Sequence, residues 1–199
     1  MTCIAGLIEN GNIWIGSDSA AVGNLQLTRR ADTKVFSNGP FIMGFTTSFR
    51  MGQILQYAFS PPERPENCDV DEFMRTHFIN AVRSCLKKDG FATVSDGREE
   101  GGTFLVSYEK RLFQVEDDFQ VAESMYPFMA CGCGSDLALG SLFSTQEVYD
   151  PKSRILLALK AAEEFSSGVR SPFRIVSMMK NEKVKSELIT KMPKIKEMK

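Results

Sequence analysis

Apolar residues gather in short blocks whose lengths suit β-strands. Residues 2–8 and 12–17 are almost wholly apolar, and Glu9-Asn10-Gly11 separates them. Such unbroken runs are typical of strands that are covered on both faces, and an Asn-Gly pair is typical of a hairpin turn. Residues 33–37 and 41–45 repeat the pattern around Asn38-Gly39-Pro40. The chain therefore predicts two hairpins within its first 45 residues.

The register of the first hairpin decides which side chains share a face. A two-residue turn at Asn10-Gly11 pairs Glu9 with Asn12 and leaves Asp18 on the face opposite Thr2. A three-residue turn with Gly11 in the left-handed conformation pairs Thr2 with Asp18 instead. The sequence leaves both registers open.

The remaining blocks alternate between helix and strand signals. Helical spacing covers residues 49–58, and Asp69 with Glu72 forms a capping-box-like start for a helix that ends near residues 88–90. Residues 20–32 and 92–102 show no period and predict loops. The later elements are expected at residues 103–108 and 111–115 (a hairpin), 128–131 (a strand), 135–143 and 151–165 (helices), and 173–179 (a strand). Strand runs separated from helix pairs indicate an α+β fold.

Composition narrows the class of protein. The 199 residues have 43% apolar content and a formal net charge of −1, so charge gives no reason to expect a nucleic-acid partner. No basic and apolar leader or bilayer-length apolar run is present, which predicts a cytoplasmic protein without a membrane partner. The five cysteines favour reduced thiols, and no metal or cofactor motif is evident. One domain is expected over residues 1–179, followed by a flexible lysine-rich tail over residues 180–199.

The first residues offer a catalytic base without histidine. If Met1 is removed, Thr2 carries a hydroxyl and an α-amine whose usual pKa is about 7.7–8.0, so the amine can accept a proton near neutral pH. A lysine ammonium beside Thr2 would lower the pKa of both the hydroxyl and the amine, and a carboxylate would hold that lysine charged and in place. Lys34 and Asp18 are the candidates. The single histidine, His77, lies in a helical run without a nucleophile motif nearby.

Four features in order resemble the proteasome-type N-terminal-nucleophile hydrolases, HslV among them. They are Thr-x-Ile after Met1, the spacings to Asp18 and Lys34, Gly44-Phe45 after a strand, and Gly132-Cys133-Gly134-Ser135-Asp136. The resemblance implies a four-layer αββα sandwich of two antiparallel sheets between helix layers. It also implies stacked homo-oligomeric rings, peptide or unfolded-protein substrates and a protein-unfolding ATPase as a further partner.

The resemblance assigns roles to four further residues. Gly44 would offer its N–H to the oxyanion, and Cys133 stands where relatives have a serine that contacts the N-terminal amine. Glu163 and Ser166 fall at an Asp-x-x-Ser position, although Glu163 also fits an ordinary solvated helix carboxylate. Because the Cys133 thiol is a weaker hydrogen-bond donor than the serine hydroxyl of relatives, either proton transfer at the amine is less well assisted or a water molecule takes the place of that hydroxyl. Residues 46–50 lack the small residues and Ala-Asp pair of relatives, which alters the specificity pocket.

Three functions are compatible with these features. The leading hypothesis is a threonine-type peptidase in which Thr2 attacks the peptide carbonyl. The departures at Cys133, Glu163 and residues 46–50 motivate the second, an inactive proteasome-like scaffold subunit. The third is an amidohydrolase that applies the same chemistry to a small amide.

Overall fold

Two five-stranded antiparallel sheets form the centre of the molecule in a computed structural model that describes residues 1–24, 26–95, 97–179 and 184–193. The first sheet has the strand order β12-β1-β2-β13-β14. Its strands are β1 (Cys3–Glu9), β2 (Asn12–Ser17), β12 (Phe128–Gly132), β13 (Phe173–Met178) and β14 (Lys185–Ile189). The second has the order β11-β10-β9-β6-β5. Its strands are β5 (Val35–Asn38), β6 (Phe41–Phe45), β9 (Phe104–Tyr108), β10 (Arg111–Val115) and β11 (Val121–Glu123).

Helices cover the outer face of each sheet. On the first sheet lie α4 (Ser135–Ser144) and α5 (Pro151–Phe165), which Asp150 caps by accepting from Ser153 N–H. On the second sheet lie α1 (Phe49–Tyr57) and a longer helical stretch. That stretch consists of α2 (Val70–Phe73), a π-helical turn (Met74–Phe78) and α3 (Ile79–Lys88).

Three apolar clusters separate these layers. One packs α1, the π-helical turn and α3 on the second sheet, and another packs α4 and α5 on the first sheet. The third lies between the two sheets and consists mainly of branched aliphatic residues, including Ile4, Ile15, Val35 and Ile42. The predicted α+β fold, a four-layer sandwich of two antiparallel sheets between helix layers, is confirmed.

The first hairpin has the two-residue turn. Glu9 pairs with Asn12 and Ile4 with Ser17, while Asn10 and Gly11 have φ values of 53° and 75°. Two successive residues with positive φ are typical of the turn that joins tightly twisted strands. This register was expected to turn Asp18 away from Thr2. However, β2 ends at Ser17, so the alternation of faces along a strand does not extend to Asp18.

Two short hairpins lie where the sequence predicts loops. Residues 20–32, predicted as a loop, contain a hairpin of β3 (Ala20–Gly23) and β4 (Gln26–Arg29). Residues 92–102, also predicted as a loop, contain β7 (Thr93–Ser95) and β8 (Arg98–Glu100). All four have at most four residues, too few for a hydrophobic period to be recognised.

The predicted boundary at residue 179 does not end the first sheet. Lys185–Ile189, assigned to the flexible tail, instead forms β14 and pairs with β13 from Phe173↔Ile189 to Ser177↔Lys185. Ile189 also packs on the apolar cluster beneath α4 and α5. The tail signal was misleading because β14 is an edge strand with mostly exposed side chains. Residues 180–183 and 194–199 lie outside the described residues, and the flexibility predicted there stays a prediction.

Candidate active site

A buried ion pair lies at the open ends of β1 and β2. Lys34, the residue before β5, is 1% exposed, and its Nζ donates to Asp18 Oδ1 at 2.7 Å. A buried lysine requires a partner because the loss of hydration otherwise disfavours its charge. Burial lowers the pKa of Lys34, and the attraction of Asp18 opposes that shift. The sequence-predicted pair is thus brought together by the structure.

The Asp18 carboxylate joins three parts of the chain. Oδ1 also accepts from Cys3 N–H at 3.1 Å, and Oδ2 accepts from Ala20 N–H at 2.8 Å and Arg170 N–H at 3.2 Å. These four hydrogen bonds hold the carboxylate in one orientation, and Asp18 is only 2% exposed. Because one donor belongs to Cys3, the ion pair is fixed directly to the residue after Thr2.

Thr2 lies at the start of β1 and is 4% exposed. Its N–H donates to Cys133 Sγ at 3.3 Å, and its hydroxyl donates to the Met1 carbonyl at 2.5 Å. Cys133 lies between β12 and α4, where Gly132 has a φ of 97° and passes close to the Thr2 carbonyl. The predicted contact between Cys133 and the nitrogen of Thr2 is present.

Ser166 extends this contact by one residue. Its Oγ lies 3.4 Å from Cys133 Sγ and accepts from Gly168 N–H at 3.4 Å. Ser166 is the residue at which α5 ends, so the end of that helix aims its hydroxyl at Cys133. A row of polar atoms therefore runs from the nitrogen of Thr2, the candidate nucleophile, through Cys133 to Ser166.

Glu163 does not join this row. Its Oε1 accepts from Ser171 N–H at 2.7 Å, and its Oε2 accepts from Lys160 Nζ at 3.0 Å. Burial raises the pKa of Glu163, but these hydrogen bonds outweigh it and leave the pKa below its usual value. The contacts make Glu163 a structural anchor for the backbone after α5.

The structure does not support the predicted role of Gly44 as the oxyanion donor. It lies inside β6, between Val35 of β5 and Leu105 of β9. Phe45 N–H points to Lys34 O in the β5 direction, so the N–H of Gly44 points to β9 and belongs to the ladder. A Cβ on Gly44 would lie 2.6 Å from Ile4 Cγ2, so this glycine serves the close approach of the two sheets.

Thr47 is a better candidate for the oxyanion donor. It has a φ of 58°, which is uncommon for a β-branched residue, and no described group accepts from its N–H. Its hydroxyl accepts from Thr103 N–H at 3.1 Å. The sequence signal, a threonine where relatives have a small residue, was read only as a change in the specificity pocket.

Thr2 and Thr47 line the same pocket, which has a volume of about 260 Å³. The β3–β4 hairpin forms one wall, and the segment after β6 forms the other. The lining residues are Met1, Thr2, Ala21, Val22, Gly23, Gln26, Thr28, Phe45, Thr46, Thr47, Ser48 and Phe49. A loop prediction for residues 20–32 could not reveal this wall.

The described part of the chain contains no group of three or more His, Cys, Asp or Glu side chains that could hold a metal ion. His77 lies in the π-helical turn on the outer face of the second sheet and stacks on Phe73. In the same described ranges, no helix combines the length and the apolar character that crossing a membrane requires.

No protein-family model and no curated protein sequence matches the chain. Solved structures do match it. BPH from Thiobacillus denitrificans aligns with a TM-score of 0.74 and 23% identity, over 88% of this chain and 97% of that chain. The fold is that of the proteasome-type N-terminal-nucleophile hydrolases. BPH has also been solved in complex with epoxomicin.

Two further structures show the same fold. Eukaryotic HslV from Trypanosoma brucei aligns with a TM-score of 0.65 and 16% identity, over 88% of this chain and 98% of that chain. The Anbu (Gly-1) mutant from Hyphomicrobium sp. strain MC1 aligns with a TM-score of 0.67 and 15% identity, over 96% of this chain and 87% of that chain. The resemblance inferred from the N-terminal motifs is thus confirmed at the level of the proteasome-type fold.

Proposed function

We propose that this chain is a threonine-type peptidase whose nucleophile is Thr2 after removal of Met1. One observation carries the proposal: a single carboxylate oxygen of Asp18 binds both the buried Lys34 ammonium and the backbone N–H next to Thr2. Burying a lysine is costly, and an ion pair at the surface would form without that cost. Asp18 thereby links the ammonium to the residue after Thr2, and an ammonium near an N-terminal threonine would lower the pKa of the attacking group.

The reaction follows from this arrangement. Thr2 Oγ attacks the carbonyl carbon of a peptide bond while its proton passes to the Thr2 amine, directly or through water. The oxyanion that forms is stabilised by the Thr47 N–H, which replaces Gly44 in this role. The amine then gives its proton to the leaving amine, and water hydrolyses the ester bond that joins the substrate to Thr2. Cys133 and Ser166 orient the amine.

A second function, an inactive scaffold subunit, is favoured by the hydroxyl of Thr2. That hydroxyl donates to the Met1 carbonyl, and with Met1 retained the nitrogen of Thr2 is a peptide nitrogen that cannot act as a base. Intact mass distinguishes the two functions. Retained Met1 and no peptide turnover would support the scaffold.

The decisive comparison is wild type against Thr2→Ala on fluorogenic peptides, with Thr93→Ala on the exposed strand β7 as the matched control. We expect Thr2→Ala to lose roughly a thousandfold or more in turnover, since the nucleophile itself is removed, while Thr93→Ala keeps wild-type activity. A peptide epoxyketone should add its mass to the Thr2 residue. Equal turnover by wild type and Thr2→Ala would refute the peptidase.

Assembly is a separate part of the proposal. Met125, Tyr126 and Phe143 are exposed, and the ring of Tyr126 packs edge-on to that of Phe143. An exposed apolar group of this kind is suited to contact between subunits of a homo-oligomeric ring. Light scattering of the purified protein measures the subunit number directly, and a monomer would contradict the ring. An ATPase partner stays a prediction.

A further inference from the structure

The side chain of Arg170 crosses the end of α5. Its Nη1 donates to the carbonyls of Glu163, Ser166 and Val169 at 3.1, 3.0 and 2.6 Å. The last carbonyls of a helix receive no hydrogen bond from an N–H of the same helix, and a cation near them is favourable. The guanidinium therefore fastens the last turn of α5 to the turn that follows it.

The backbone of the same residue holds the ion pair. Arg170 N–H donates to Asp18 Oδ2 at 3.2 Å, and its carbonyl accepts from Ser19 N–H at 2.8 Å. The first bond holds Oδ2 while Lys34 is bound to Oδ1, and the second fixes the Arg170 backbone to the residue after Asp18. A shift of the segment at Arg170 would move the carboxylate away from Lys34.

The clamped carbonyl of Ser166 controls the second half of the site. Ser166 has left the helical conformation, with φ −113° and ψ 125°, so helical hydrogen bonding does not fix its own carbonyl. That carbonyl accepts from the guanidinium at 3.0 Å and from Val169 N–H at 3.4 Å, so the guanidinium makes the shorter of its two bonds, and the Ser166 hydroxyl lies 3.4 Å from Cys133 Sγ. Cys133 in turn contacts the nitrogen of Thr2.

We propose that Arg170 is a positioning residue that keeps Asp18 against Lys34 and Ser166 against Cys133 at the same time. Its effect on catalysis rests on the proposed peptidase, whereas its effect on the Cys133 thiol does not. Among the described residues no hydrogen bond joins Arg170 to Thr2 or to the residues that line the pocket, so we expect it to act through the two groups that it holds.

The catalytic test uses Arg170→Met, which keeps much of the side-chain length without donors. We expect kcat/KM to fall roughly 10- to 100-fold, as displacements of about 1 Å do at catalytic groups. The pH profile provides the specific readout. Lys34 acts as an ammonium, and a weaker contact with Asp18 lowers its pKa further. Activity should therefore be lost at a lower pH on the alkaline side than in wild type.

The second test needs no enzymatic activity. With Cys85→Ser as the background, Cys133 is the exposed thiol among the described cysteines. Release of Ser166 should make Cys133 react several-fold faster with a maleimide, measured by peptide mass spectrometry. Arg174→Met is the matched control, since the hydrogen bond described for its side chain runs from Nη1 to the exposed Ser186 hydroxyl, away from Cys133 and Asp18. Arg170→Lys, which keeps one cationic donor, should restore part of the wild-type behaviour.

The outcomes separate the two proposals. If wild type has no peptidase activity but Arg170→Met still speeds the reaction of Cys133 with maleimide, the clamp stands and the proposed function fails. If a folded Arg170→Met variant shows the wild-type maleimide rate, or the wild-type alkaline limb together with the wild-type kcat/KM, the clamp is refuted. Circular dichroism and thermal melting establish that the variant is folded.

Discussion

Asp18→Asn tests whether the buried ion pair is as strongly coupled as the structure indicates. The substitution keeps the shape of the side chain but replaces one oxygen by an NH₂ group. Both oxygens of Asp18 accept two hydrogen bonds each, so in either amide orientation the NH₂ group faces two donors. At the same time Lys34 loses its counter-charge while it stays 1% exposed.

The magnitude follows from this asymmetry. Removing one partner of a buried pair costs about 3–5 kcal/mol, and the NH₂ group against two donors places Asp18→Asn toward the upper end. Lys34→Met should cost less, about 1–3 kcal/mol, because Asp18 keeps three backbone N–H donors. The double variant should cost less than the sum of the two, since neither unpaired charge remains.

The pH dependence identifies Lys34 as the source of the penalty. Burial lowers the pKa of Lys34 in the folded state, and loss of Asp18 removes the attraction that opposes this. The unfolded state then binds more protons than the folded state between the folded pKa and about 10.4, so stability rises with pH through that window. The penalty of Asp18→Asn should shrink between about pH 7 and pH 9, and it should not do so in the double variant.

Urea unfolding followed by circular dichroism measures all four proteins at each pH. Arg174→Met serves as a control for a half-buried charged residue near the site, since Arg174 pairs with Ser17. The reasoning is refuted if Asp18→Asn costs no more than Lys34→Met, if the two penalties add, or if the Asp18→Asn penalty is the same at both pH values.

Two further predictions concern residues beside Thr2. Gly132→Ala should cost roughly 2–4 kcal/mol in urea unfolding and abolish turnover, because φ is 97° and a Cβ would lie 2.3 Å from the Thr2 carbonyl oxygen. Gly140→Ala is its control, since a Cβ there meets nothing within 4 Å, and equal stability of the two variants would contradict the argument. Cys133→Ser should raise kcat about fivefold with KM unchanged, since a hydroxyl hydrogen-bonds the amine more strongly; a lower kcat would show that the thiol has a role of its own.

The layers of the fold were predictable because their signals are local. Runs such as Cys3–Glu9 are apolar on both faces, as sheets between helix layers require, and Asp69 caps α2 by accepting from Glu72 N–H as the sequence indicates. The short strands β3 and β4 carry no period and were missed. The strand β14, which lies in the lysine-rich tail, was missed because the edge of a sheet tolerates exposed polar residues.

The candidate site was predictable only in part. Spacing along the chain identified Thr2, Asp18 and Lys34, but the hairpin register, taken alone, would have separated Asp18 from Thr2. That inference fails because β2 ends at Ser17, one residue before Asp18. The Asp18 carboxylate is instead oriented by its hydrogen bonds, one of them from Cys3 N–H. Strand alternation is a rule for residues inside a ladder, and catalytic side chains at the ends of strands lie beyond it.

Gly44 and Thr47 show a second limit of the sequence. Thr47 lines the pocket and Gly44 directly precedes the lining residue Phe45, and a motif cannot distinguish a glycine required for sheet packing from one required for an exposed N–H. The sheet partners of Gly44 decide the matter, because they occupy both sides of β6. Thr47 is the first position after the ladder at which a described N–H has no acceptor, and its positive φ is maintained by the Thr103 contact.

Removal of Met1 would change the site in two ways at once. It would turn the nitrogen of Thr2 from a peptide N–H into an amine that still lies beside Cys133. It would also open space, since Met1 packs against Gly168, where a Cβ would lie 2.6 Å from both Met1 Cβ and Cys133 Sγ. The space vacated by Met1 would therefore adjoin the row of polar atoms formed by Cys133 and Ser166. We therefore expect Thr2 to be inert as a nucleophile until Met1 is removed, because only then does its nitrogen become a base.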